Sequence, residues 1–212
     1  GESAENIVVY YINADNELEM VQDTNYNTIT KEVYFTTTHF SYYTISHELA
    51  NTQFSDVKET AWYHNALQIL ALRRIIVGTT ANKFEPNKAI TRAEFVMMLA
   101  KLSGADLTKY TKVHYSDVTA SDWYFNATSW AKSFGVAQGN EGKFSPNATL
   151  TRQEMAVMIA NYMDNVAKEE LPISTTTFTD NDEISEFAKV AVSQIRQSGI
   201  VVGKPENMFA PK

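Results

Sequence analysis

Cysteine is absent from the 212 residues, which excludes disulfides, thiolate metal sites and a cysteine nucleophile. No apolar run approaches the roughly 20 residues needed to span a bilayer, so membrane insertion is not expected. A secretory leader is missing as well. Gly1-Glu2-Ser3 reads as a processing scar, however, so that lack does not argue for the cytoplasm. Positive charge is in deficit: 18 Lys and Arg stand against 25 Asp and Glu, a net charge of -7. That is the wrong field for general nucleic-acid binding. The deficit is uneven. Residues 1–53 carry one Lys and eight acids, whereas residues 54–104 carry seven Lys and Arg against four acids. The locally basic stretch leaves room for an anionic ligand.

Signatures of catalysis are missing too. His39, His47, His64 and His114 lack metal-ligand spacing. There is no phosphate-binding loop, no nucleophile elbow and no triad, and no pair of acids stands out as a glycosidase couple. Neither a metal nor a cofactor is expected. Asn126-Ala127-Thr128 and Asn147-Ala148-Thr149 match the glycosylation sequon, a pattern that arises often by chance.

With 44% apolar and 20% charged residues, the chain has the composition of a soluble globular protein. Residues 1–50 read as the C-terminal remnant of a β-rich domain. Ile7–Ile12 is a β-branched and aromatic run, Leu18–Val21 alternates, a turn is expected around Asp23-Thr24-Asn25, and strands are expected at Val33–Thr37 and Phe40–Ile45. Four short strands make a poor core by themselves.

From Phe54 the chain repeats itself. Phe54-Ser55-Asp56-Val57 returns as Tyr115-Ser116-Asp117-Val118 and as Phe178-Thr179-Asp180. An aromatic, an alanine and a glycine follow at constant spacing: Trp62, Ala66 and Gly78; Trp123, Ala127 and Gly139; Phe187, Ala191 and Gly203. Phe84-Glu85-Pro86, Phe144-Ser145-Pro146 and Phe209-Ala210-Pro211 come next. Thr91-Arg92-Ala93-Glu94 and Thr151-Arg152-Gln153-Glu154 close the first two copies. Units are expected at 51–108, 109–170 and 171–212, the third ending before its Thr-Arg-x-Glu, with Leu171–Thr177 as linker. Each full unit predicts two helices. Trp123, Ala127, Trp130, Ala131 and Phe134, and likewise Trp62, Ala66, Ile69 and Leu70, form one apolar stripe. Phe95, Met98, Leu99 and Leu102, and likewise Met155, Met158, Ile159 and Tyr162, form the other.

This ordered set of motifs over residues 54–212 resembles the S-layer homology domain family, and Val33–Tyr43 is similar to the last strands of β-domains found upstream of such repeats. The resemblance implies a mainly α fold of tandem helix-loop-helix repeats around a pseudo-threefold axis, preceded by a short antiparallel β segment. It implies an extracellular place in the cell wall of Gram-positive bacteria. It also implies non-covalent anchoring of a surface protein to acidic secondary cell-wall polysaccharide, pyruvylated in many members, held in grooves between repeats. Arg92 and Arg152 are then the leading ligand contacts, with Asp56, Asp117, Trp62, Trp123, Gly78 and Gly139 shaping the grooves and Lys83 and Lys143 adding positive charge. Three departures stand out: Phe187 replaces Trp, Gln194 interrupts the third stripe, and the third Thr-Arg-x-Glu is missing.

Each motif also has a plain structural reading. Thr91 and Glu94, like Thr151 and Glu154, make a capping box. It leaves the arginine unexplained, because a cation at a helix N-terminus opposes the dipole and calls for an anion, either a neighbouring carboxylate or a ligand. Trp62 and Trp123 suit core packing as well as a sugar face, the two aspartates suit turn closure, and the glycines suit tight turns. Two further functions compete with anchoring. One is self-assembly of a surface lattice through the incomplete third repeat. The other, glycan processing, finds no supporting motif.

Overall fold

The computed structural model describes residues 7–21, 24–37, 39–47, 54–173 and 176–212. Gly1 to Ser3, the turn residue Asp23, Thr38, and the linker residues Ser174 and Thr175 lie outside them. The chain divides into two compact units, Gly1–Lys88 and Ala89–Lys212, so the boundary falls between the two helices of the first repeat.

In the first unit, β1 (Ile7–Ile12) is the central strand of an antiparallel sheet, between β2 (Leu18–Val21) and β5 (Tyr43–His47). Val8 and Val9 are both buried, so the sheet is covered on both faces at that point of β1, while Ile12 at its end and Ile45 on the edge strand stand exposed. Of the turn expected around Asp23-Thr24-Asn25, the described residues Thr24 and Asn25 instead open a strand. There β3 (Thr24–Asn27) pairs with β4 (Glu32–Phe35) in a separate hairpin. Five strands are therefore present among the described residues. Counted with five α-helices, they make the protein mixed α and β rather than mainly α. The unit closes with α1 (His64–Leu72) and its loop. Arg73 Nη2 donates to the Thr24 carbonyl at 3.0 Å, tying the end of α1 to β3.

The second unit packs α2 (Arg92–Leu102) against α3 (Phe125–Ser133) and α4 (Arg152–Tyr162) against α5 (Glu186–Gln197). Both α2 and α4 open with the expected capping boxes: the Thr91 and Thr151 side chains accept from the Glu94 and Glu154 amides, and the glutamates accept in return. One core surrounds Trp130, Phe144, Val96, Leu99 and Ala131; the other surrounds Ile195, Phe209, Val192 and Phe178. Helix α4 serves both, with Met158 and Tyr162 facing the first and Ala156 and Ala160 the second.

The stripes need correction. Trp123 lies two residues before α3 begins and is 61% exposed, and Trp62 is 93% exposed before α1. Tyr124 and Phe125 take the buried positions instead. Along α2 the buried residues are Ala93, Phe95, Val96, Leu99 and Ala100, with Leu102 exposed. Along α5, Ala188, Ala191, Val192 and Ile195 form the buried face. Gln194 sits at its edge, where its amide reaches the Leu171 carbonyl at 3.5 Å.

Candidate functional site

The Phe-x-Pro loops are built the same way three times. Asp117 Oδ1 and Oδ2 accept from the Phe144 and Ser145 amides, both at 2.8 Å. Asp56 does so for Phe84 and Glu85 at 3.0 and 2.7 Å, and Asp180 for Phe209 and Ala210, both at 2.7 Å. The middle residue of each loop is left-handed although none is glycine: Glu85 at φ 58°, Ser145 at 56° and Ala210 at 56°. Such a backbone costs roughly 1–2 kcal/mol without compensation; the two-pronged carboxylate supplies it.

These aspartates are consequently held below the ordinary carboxylate range. At Asp56 the Phe84 amide is the largest cause. At Asp117 burial pulls upward, but the Phe144 and Ser145 amides and Lys143 outweigh it. At Asp180 burial likewise pulls upward and is outweighed by the Phe209 and Ala210 amides, with Arg152 assisting. Burial pushes the Tyr115 phenol up to about 12, partly offset by the Arg92 charge, and its hydroxyl donates to the Ala137 carbonyl at 3.1 Å.

Each arginine of the Thr-Arg-x-Glu motif reaches into the loop of the following repeat. Arg92 Nε donates to the Phe144 carbonyl at 2.9 Å, and its guanidinium lies 5.2 Å from the Phe144 ring centroid. Arg152 Nε donates to the Phe209 carbonyl at 2.8 Å, with its guanidinium 5.0 Å from the Phe209 ring. The backbone joins in: the Ala93 amide donates to the Pro146 carbonyl at 3.0 Å, and the Gln153 amide to Pro211 at 3.2 Å. Amides at the helix start that the capping box leaves over are thus satisfied by carbonyls of the next loop.

The two arginines then part ways. Arg92 Nη1 meets Glu154 Oε1 at 3.3 Å, and its side chain is only 14% exposed. The compensating anion at that helix start is a neighbouring carboxylate. Arg152 has no carboxylate partner within ion-pair distance among the described residues.

The remaining predicted positions surround these loops. Trp62 and Trp123 lie open, each edge-on to the tyrosine that follows it, at 5.5 and 5.2 Å. Lys83 and Lys143 occupy tight hairpins in which the Thr80 and Asn140 amides bond their carbonyls, and both side chains are exposed and draw down the neighbouring Asp56 and Asp117 carboxyls. Gly78 and Gly139 are needed for close approach. A Cβ on Gly78 would run into the Lys83 carbonyl and the Phe54 ring, and one on Gly139 into the Lys143 carbonyl and the Tyr115 ring. Sequence reasoning missed Asp180 and the second role of Glu154. The third Phe-Thr-Asp carried the signal for Asp180; nothing local carried the pairing of Glu154 with Arg92, which is 62 residues away.

The chain matches the S-layer homology domain over residues 53–96, 114–156 and 177–212. An amylopullulanase of Thermoanaerobacterium thermosulfurigenes is 38% identical over 97% of this chain, a stretch that takes in the β-strands as well. Exoglucanase XynX of Acetivibrio thermocellus is 37% identical over 75% of the chain, and an S-layer protein of Bacillus thuringiensis subsp. finitimus is 26% identical over 77%. The chain spans 11%, 14% and 20% of those proteins, respectively.

Proposed function

The chain belongs to the S-layer homology domain family, and from that premise we propose that it anchors a surface protein non-covalently to the bacterial cell wall by gripping a carboxylate-bearing secondary polysaccharide. It is an extracellular module of the cell wall, and it binds rather than catalyses. The enzyme names among its relatives belong to whole proteins of which the shared stretch is a small part. On this reading the repeats run 51–108, 109–170 and 171–212 around a pseudo-threefold axis, supported by the identical docking of one repeat's helix start into the next repeat's loop.

The observation that carries the proposal is the asymmetry between the arginines. A guanidinium whose two Nη atoms have no partner among the described residues, anchored through Nε, presents the fork that a carboxylate accepts. Arg152 is that fork. A pyruvate ketal on an amino sugar would meet this fork, and an open indole such as Trp123 could line a sugar face. Arg92 offers the same fork only when Glu154 releases it. Asp56, Asp117, Gly78 and Gly139 support the loops, and Lys83 and Lys143 add positive charge. A polymer held at more than one groove would gain about 10²–10⁴ in avidity. The test is co-sedimentation with purified cell walls before and after chemical removal of the polysaccharide. Retention should be lost on stripped walls, and Arg152→Ala should weaken it on intact ones without unfolding the protein. Equal retention on both would refute anchoring through the polysaccharide.

A second reading, self-assembly of a surface lattice, has one observation behind it. Ala66 on α1 is exposed, whereas its counterparts Ala127 and Ala191 are buried. Sedimentation equilibrium separates the two, since concentration-independent monomers contradict assembly.

A further inference from the structure

The three repeats differ at the position held by Ala71, Lys132 and Arg196. Lys132 on α3 lays its ammonium 5.9 Å from the Tyr115 ring centroid and donates to the Gln138 carbonyl at 3.3 Å and its Oε1 at 2.7 Å. Arg196 on α5 lies 4.3 Å from the Phe178 ring and donates to Asn207 Oδ1 at 3.2 Å. Both lie over the aromatic that opens their repeat, which also packs against Phe144 or Phe209. In the first repeat the ring pair is the same, Phe54 against Phe84 at 5.6 Å, but the residue at the cation's position is Ala71. Among the described residues no cation lies over Phe54. In its place is a recess of about 370 Å³ lined by Phe54, Ala71, Ile76, Val77, Gly78 and Thr80, with Ala81 at its edge.

We propose that this recess is a binding site for a lysine or arginine side chain of a second polypeptide. Elsewhere the molecule uses this seat for a cation on an alkyl stem, and the first repeat keeps the seat without the occupant. The ring supplies the face on which a cation rests. The Val77 carbonyl, equivalent to that of Gln138, receives no hydrogen bond among the described residues. Ala71, Ile76 and the exposed Val77 supply apolar wall for the methylene stem, which an amino sugar does not have. The recess shares Gly78 with the first groove, but the proposal does not depend on Arg152 being a glycan contact.

The test is a titration of the isotope-labelled full chain with N-acetyl-lysine methylamide and N-acetyl-arginine methylamide, followed by amide and aromatic NMR shifts. Saturable shifts at residues 76–81 and Phe54 are expected, with dissociation constants of roughly millimolar order for so small a probe. Ala71→Lys, which fills the seat from within, should weaken binding at least about tenfold while melting no lower than the parent. Arg152→Ala should leave the titration unchanged. Absence of saturable shifts, equal shifts with the neutral norleucine analogue, or binding undiminished by Ala71→Lys would overturn the proposal. Glucosamine binding there in preference to both probes would overturn the polypeptide partner in favour of a glycan amine.

Discussion

Trp123 and Trp130 lie seven positions apart, on what the sequence presents as one helical face, yet one is 61% exposed and the other 1%. Trp130→Ala should cost about 3–5 kcal/mol, because its cavity opens in the packed layer between α2 and α3. Trp123→Ala should cost about 1 kcal/mol or less and act on glycan binding if it acts at all. Urea unfolding midpoints of the two variants, compared with wall co-sedimentation, check both expectations. At the same scale, Ala210 holds a left-handed backbone only because Asp180 clamps it from below. Ala210→Gly should be neutral or raise stability by up to about 1 kcal/mol. Ala210→Val should lower it, since a β-branched residue fits that region poorly; thermal melts distinguish the two.

At the scale of the element, Glu154 performs two tasks with its two oxygens. Oε2 caps its own helix by accepting from the Thr151 amide and hydroxyl, and Oε1 pairs with Arg92 of the preceding repeat. Glutamine can still close a capping box but carries no charge. Glu154→Gln should therefore lower stability by about 0.5–1 kcal/mol, in a salt-dependent way. It should also free Arg92 for a carboxylate ligand and so strengthen retention on cell walls. Thr151→Ala should cost about 1 kcal/mol through the lost cap and leave the Arg92 pair in place. Melts at low and high salt, set beside wall binding, tell the two tasks apart.

For the whole molecule, three loops share one acid-sensitive clamp. Asp56, Asp117 and Asp180 all titrate below the ordinary value of 3.8 in the folded state. The unfolded chain therefore takes up protons first as pH falls. Stability from the clamps is fully present above the ordinary carboxylate range and is lost as pH drops through the depressed values. Urea midpoints should hold between pH 7 and 5 and fall below about pH 4. Asp117→Asn should be less stable at neutral pH and show a shallower acid loss. A midpoint that rises on acidification would contradict the clamp.

The sequence alone determined what depends on local order and spacing. The three-fold recurrence, the Thr-x-x-Glu caps, the strands at Ile7–Ile12 and Leu18–Val21 and the family were legible because each rests on residues a few positions apart. It misplaced β3 because Asp-Thr-Asn chemistry favours a turn unless a partner strand, here β4, supplies hydrogen bonds. It misplaced the two tryptophans because periodicity says which residues share a face, not where the first helical turn begins. Only the tertiary structure decided how Arg92 and Arg152 are used. Two identical motifs in equivalent helices differ because one pairs with Glu154 across 62 residues of chain, while the other has no ion pair among the described residues and acts on Asp180 only through its charge. An ion pair depends on distance in space, and spacing along the chain does not encode it.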